Sequence, residues 1–149
     1  MRLAPSSMLS ALATYTYTDA RFRDYEVGPN DFRGHRIPGL APHRLHGALE
    51  VSPGPLYGML SVEFVDAFPA NDANTFDAIA PAYWRSDLRV GLDGVGVGQA
   101  FLTPYLAILN LTDEHYSTSV SVNALDGRFF EPGPGRRVQL GVRAGFGGR

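Results

Sequence analysis

The chain is expected to be all-β: an antiparallel up-and-down meander of about six long strands. Three observations predict this. Apolar and polar residues alternate with period two over several segments, which puts one set on each face of a strand. No stretch of the 149 residues carries a convincing helical periodicity. Long and short connections take turns between the segments, as they do along a series of hairpins.

The first strand is expected over 9–22, rich in Thr and Tyr. The second is HRLHGALEV at 43–51, with Leu45, Gly47, Leu49 and Val51 on one face and Arg44, His46, Ala48 and Glu50 on the other. The third covers 56–66, with Leu56, Gly58, Leu60, Val62 and Phe64 on the apolar face. The fourth covers 83–93. Trp84, Leu88, Val90 and Leu92 share a face with Ser86, opposite Tyr83, Arg85, Asp87, Arg89 and Asp93. The fifth is read over 101–122 with a bulge near Asn110, and the sixth is RRVQLGVRAGF, where Val138, Leu140, Val142, Ala144 and Phe146 alternate with Arg, Gln and Gly.

Turns SPGP and GVGVGQ are short. The connections after the first, third and fifth strands are long, so all long loops fall at one end of the sheet. Outer-membrane barrels are built this way, and soluble sandwiches scatter their loop lengths more evenly. Strand length points the same way: crossing hydrocarbon takes ~9–11 tilted residues, against ~5–6 for an ordinary strand. The alternation alone leaves open whether the apolar face meets a protein core or lipid.

Composition narrows the function. A net charge of −2 gives no reason to expect a nucleic-acid partner, and all 13 basic residues are Arg. The absence of Cys excludes disulfides, thiolate metal sites and a cysteine nucleophile. No apolar run reaches the ~18 residues of a transmembrane helix, which leaves a β-barrel open. No leader-like apolar segment precedes the first strand, so export would need a signal beyond these residues.

Five segments in register carry a family resemblance: ATYTYTDARF at 13–22, GHRIPGLAPHRLHGAL at 34–49, YWRSDLRVGL at 83–92, LAILNLTDEHYSTSVSVNA at 106–124 and GRFFEPGPGRRVQLGVRAGF at 127–146. Together they resemble the C-terminal part of a TonB-dependent outer-membrane receptor of the siderophore or cobalamin type. The resemblance implies a segment of a 22-stranded transmembrane barrel, residues 1–149 forming its last strands, with the plug domain and earlier strands absent. It implies a bacterial outer-membrane location and uptake of a metal chelate such as a ferric siderophore, without catalytic activity or a cofactor. The implied partners are outer-membrane lipid, the remaining barrel and plug, the chelate, and the TonB complex through the missing N-terminal part. Six strands with two open edges cannot rest in lipid, so a fragment or truncated reading frame, inactive alone and seen as a curved open sheet, is expected. The family ends on an aromatic residue, whereas Phe146 is followed by three more residues. The alternative is a soluble all-β ligand-binding module of carbohydrate type.

Arg85, Asp87 and Arg89 share one strand face and are expected to line the lumen as a charge ladder. Arg128, Phe129, Phe130 and Arg136 lie in the last long loop, where cationic and aromatic side chains suit an anionic, aromatic iron chelate. Trp84, Tyr83, Phe129 and Phe130 at the loop end, with Tyr57 and Phe101 at the turn end, fit aromatic girdles. Asp113, Glu114 and His115 split between two faces and do not complete a metal site. His35, His43 and His46 lack a paired carboxylate at catalytic spacing. Gly94, Gly96 and Gly98 join two strands rather than a strand and a helix, so they form no phosphate cradle.

Overall fold

The computed structural model describes residues 2–6 and 8–146. Eight strands form one antiparallel sheet: β1 (Arg2–Ser6), β2 (Leu9–Tyr17), β3 (His43–Val51), β4 (Leu56–Val65), β5 (Tyr83–Leu92), β6 (Val95–Val97), β7 (Ala100–Leu109) and β8 (Arg137–Phe146). The order is β1-β2-β3-β4-β5-β7, with β6 and β8 also paired to β7. Apart from the short β6, each strand pairs with the next in the chain, which is the meander the alternating loops predict. β2 and β3 are nine residues long; β4, β5, β7 and β8 are ten. These are the lengths needed to cross a hydrocarbon layer at a tilt.

The first expected strand, 9–22, ends at Tyr17, and Arg21 forms only an isolated bridge to Arg36. Two further differences from the sequence reading have local causes. β1 was not anticipated: Pro5 removes a donor, the β1–β2 register shifts between Leu3 and Ser6, and such a segment is tolerated at a sheet edge. The fifth expected strand, 101–122, is cut in two. It ends at Leu109 because Asn110 and Asp113 take left-handed backbone angles, φ 54° and 58°. Residues 117–120 then pair with Phe130–Pro132 in a separate loop ribbon. Asn110 thus terminates the strand and does not form a bulge within it. The three residues that follow Phe146, Gly147, Gly148 and Arg149, lie outside the described residues.

Pro104 sits inside β7, where it cannot donate to the ladder. The β5–β7 pairing runs only over 88–91 and 105–108, then resumes as β6 with 100–102. Between them Asp93 Oδ1 accepts from Thr103 Oγ1 at 3.3 Å. The backbone break is therefore bridged by side chains. Gly94, Gly96 and Gly98 lie in or beside this hairpin, with Gly94 and Gly98 at φ 66° and 63°.

The register sorts side chains onto two faces. Residues opposite one another share a face. One face runs Ala11 and Leu49, Leu49 and Leu60, Leu60 and Leu88, Leu88 and Ile108, Ile108 and Val138. Along β8 it is fully open: Val138, Leu140 and Phe146 are 65%, 82% and 86% exposed. No second sheet covers it among the described residues, so the greasy face is not the inside of a sandwich. The opposite face carries Arg44, His46, Glu50, Glu63, Arg85, Asp87, Arg89, Arg137, Gln139 and Arg143.

The buried core lies elsewhere, in the long loops. Strand ends Tyr17 and His43, Val65 and Tyr83, Leu109 and Arg137 are directly paired, so all three long connections leave from one end. Ala41, Val65, Phe68 and Ala80 pack together there with Tyr83 and Val120, and Ala70, Ala78 and Phe129 form a second cluster with Val120 and Ala124. Val65 and Tyr83 belong to the polar face, so the loops lean over that face. Hydrogen bonds knit the loops: Gly39 N–H to Pro69 O at 2.8 Å, Asn74 Nδ2 to Arg36 O at 3.0 Å, and Asn123 N–H to Ala70 O at 2.9 Å.

Candidate functional site

The polar face beneath the loops gathers the chain's chemistry. Arg85 is its hub. It lies directly across from Glu63, its Nη2 3.2 Å from Glu63 Oε2 and 3.9 Å from Asp87 Oδ2, and its Nη1 donates to Tyr116 Oη at 3.3 Å. All three charged side chains are about one-third exposed, so each pair contributes at most about 1 kcal/mol; their effect is to fix positions. The Tyr116 ring is 9% exposed, 5.1 Å from the Tyr83 ring, and occupies the space beside Gly133. Farther down the same strand, Arg89 stacks over Tyr105 at 4.5 Å. The three residues expected to form a ladder, Arg85, Asp87 and Arg89, thus share the polar face, although Arg89 pairs with an aromatic ring instead of a carboxylate.

Asp87 also reaches the loop. Its Oδ1 accepts the Asn110 backbone N–H at 2.8 Å. Asn110 is only 2% exposed, and its side chain closes the loop through bonds to Glu114 N–H, Glu114 O and Pro134 O. One carboxylate thereby ties strand β5 to the entry of the 110–136 connection.

Two cavities of about 180 Å³ each flank the Tyr83–Tyr116 pair. The first is lined by Arg44, Val65, Phe68 and Tyr83 below and by Ser117, Thr118 and Ser119 above. The second lies among Arg85, Asp87, Asn110, Tyr116 and Arg137. Arg44, Tyr116 and the three hydroxyl residues were not singled out from the sequence. Their signal was present for Arg44, on the polar parity of β3. It was absent for 117–119, whose place depends on the loop folding back.

The four loop residues are dispersed. Arg128 and Phe130 are exposed, and Arg136 donates its N–H to Asp113 Oδ1 at 2.7 Å. Phe129 is buried against Ala70 and Ala78, so its ring serves loop packing in this arrangement. The girdle also differs in detail. Trp84 faces outward, packed on Phe64 at 4.6 Å, and Tyr15 and Tyr17 extend that band beside His43. Tyr83, Tyr57 and Phe101 point to the polar face, leaving Phe146 as the outward aromatic at the turn end. His35 bonds Asp72 O at 2.9 Å and His43 bonds Tyr15 Oη at 2.7 Å. Among the described residues no group of three or more potential ligands gathers for a metal ion.

A meander with an open apolar face, a charged opposite face and every long loop at one end has the architecture of an outer-membrane β-barrel wall. Solved structures share it. The chain superposes on the siderophore receptor PiuA from Acinetobacter baumannii with a TM-score of 0.75 and 19% identity, over 96% of this chain and 20% of that one. It matches the unliganded ferric citrate transporter FecA at 0.74 and 22%, over 91% and 21%. It matches BauA, the ferric preacinetobactin receptor from Acinetobacter baumannii, at 0.74 and 18%, over 95% and 20%. The chain therefore spans about a fifth of the length of the structures it matches. No protein-family model matches it. The fold is that of the receptor barrels, as the sequence resemblance implied.

Proposed function

We propose that the chain is a wall segment of a TonB-dependent outer-membrane receptor that takes up a metal chelate such as a ferric siderophore. The observation that carries this reading is the separation of faces: leucine and valine outward across six adjacent strands, arginine and carboxylate inward, and three interlocked loops over the inward side. The three matched structures are named as a siderophore receptor, a ferric citrate transporter and a ferric preacinetobactin receptor. Transport rather than catalysis follows from that likeness.

Within this reading Arg85, Asp87 and Arg89 line the pore, and Arg128, Phe130 and Arg136 face the outside medium. β1 and β8 each pair on one side only among the described residues. Unpaired backbone groups in hydrocarbon cost several kcal/mol each, so further strands must close the wall before it can stand in a membrane. The remaining barrel, a plug and the TonB complex are the partners this requires, and the segment alone would not transport. The soluble alternative lacks any cover for the apolar face.

Partitioning tests the reading. The expressed chain should need detergent to stay dispersed, because its apolar face has no protein cover among the described residues. A monodisperse monomer in plain buffer would overturn it.

A further inference from the structure

We propose that the cavity between Arg44, Tyr83 and the 117–119 segment is a subsite for a carboxylate arm of the ligand; this rests on the chelate-receptor reading above. Arg44 and Tyr83 flank Val65 on neighbouring strands, which sets their backbones about 10 Å apart, twice the inter-strand spacing. Their side chains line the same cavity, whose roof is Ser117, Thr118 and Ser119 and whose floor is Val65 and Phe68.

Charge selects the ligand. Among the described residues Arg44 has no carboxylate at ion-pair distance. Glu63, which lies near it, is held by Arg85, and Asp66 accepts the Ala67 N–H. The Arg44 guanidinium, the Tyr83 phenol and the Ser117 and Ser119 hydroxyls form a set of donors, and Glu63, the carboxylate whose charge reaches Tyr83, is engaged by Arg85. A carboxylate suits that set, since charge-assisted bonds to Arg are the strongest on offer. The Thr118 hydroxyl is already used, donating to Glu131 O at 3.3 Å.

Size decides between the whole ligand and a part. The cavity is about 180 Å³, close to the ~150 Å³ cavity that holds one benzene. It has room for a short acid arm and not for a metal chelate. The ligand class this selects is a chelate with a free or weakly engaged carboxylate, over a neutral one.

The test uses the 149-residue chain in detergent micelles, with radiolabelled citrate as the probe. Saturable citrate binding should weaken at least about tenfold in Arg44→Gln, the size of one lost charged hydrogen bond. It should be unchanged in Arg143→Gln, which removes a cation at the far end of the same face. In the unmutated chain, citrate should also slow modification of Arg44 by phenylglyoxal, read by peptide mass, which covers the case in which Arg44→Gln does not fold. Displacement of citrate by inorganic phosphate as readily as by unlabelled citrate would overturn the carboxylate assignment. Binding of a neutral ferric trihydroxamate without citrate would overturn it too, while leaving the receptor reading standing. Equal binding by Arg44→Gln and unmodified chain, or no citrate binding by folded chain, would likewise end the proposal.

Discussion

The Asp87 carboxylate holds the backbone N–H of Asn110 at 2.8 Å, where β7 stops and the last long connection begins. Asn110 then turns the chain with φ 54° and spends its amide on Glu114 and Pro134. Strand wall and loop are thus joined at one nearly sealed residue. Asn tolerates the left-handed region better than most residues because its short polar side chain bonds locally.

Asn110→Ala should therefore loosen the 110–136 connection. It strands buried polar partners, at about 1–3 kcal/mol, and leaves a Cβ-bearing residue without local bonding at positive φ, at about 1–2 kcal/mol more. Limited proteolysis in micelles should cut within 110–136 at least tenfold faster. Asn110→Gly removes the same side chain without the backbone strain and should fall between. Cleavage of Asn110→Ala at the unmodified rate would show that the loop is held by other contacts.

The wall was legible in the sequence because its physics is periodic. Leu45 to Val51, Leu56 to Phe64 and Val138 to Phe146 each keep strict parity, and the register confirms every one of them. The loop cap was not legible. LAILNLTDEHYSTSVSV keeps even parity through Tyr116 and Val120, so nothing periodic marks the break that Asn110 imposes. Phe129 and Phe130 are adjacent and chemically identical, yet one is buried and the other exposed; only the fold of the loop separates them. The candidate site lies where wall meets loop, so half of it, Arg44 and Arg85, was visible as strand parity. The other half, Tyr116 and 117–119, depends on contacts across the chain.

Gly91 marks a close approach of two strands. A Cβ there would meet Pro104 O at 2.6 Å and the Tyr57 ring at 2.7 Å. Tyr57 could rotate away, but the carbonyl belongs to the backbone beside the pairing break. Gly91→Ala should cost about 1–3 kcal/mol, the usual penalty of overpacking, read as a lower urea midpoint for unfolding from micelles. Gly96→Ala has open space around the added methyl and should change the midpoint little. Equal midpoints for the two variants would mean the strands separate freely at Pro104.

In the loop cap, Tyr25 donates to Asp72 Oδ2 at 3.3 Å. The nearby Asp72 charge raises the Tyr25 pKa above its ordinary 10.0, with smaller contributions from desolvation and the hydrogen bond. A raised phenol favours the protonated form, so the contact is fully present below pH 10.0 and is lost as pH rises through the higher folded value. The phenolate absorbance of Tyr25, isolated by subtracting the Tyr25→Phe titration, should appear later in alkali than a free tyrosine. Asp72→Asn should bring it back toward the ordinary value. An unshifted Tyr25 titration would remove the Asp72 contact from the account of the cap.

Leu60 and Ser61 are neighbours in the chain and opposites in environment. Leu60 stands between Leu49 and Leu88 in the middle of the apolar face, while Ser61 stands between Ala48 and Asp87 on the polar one. A cation at the bilayer midplane of a barrel costs about 2–4 kcal/mol, and a lumen cation costs little. Leu60→Arg should therefore lower folding stability in detergent micelles, by up to about 2–4 kcal/mol, whereas Ser61→Arg, beside Asp87, should be close to neutral. Reversible urea titrations followed by tryptophan emission from Trp84, the chain's one Trp, supply the comparison. The sign of the difference is what matters: if Ser61→Arg were the more damaging, the polar face would be the one against lipid, and the assignment of inside and outside would be inverted.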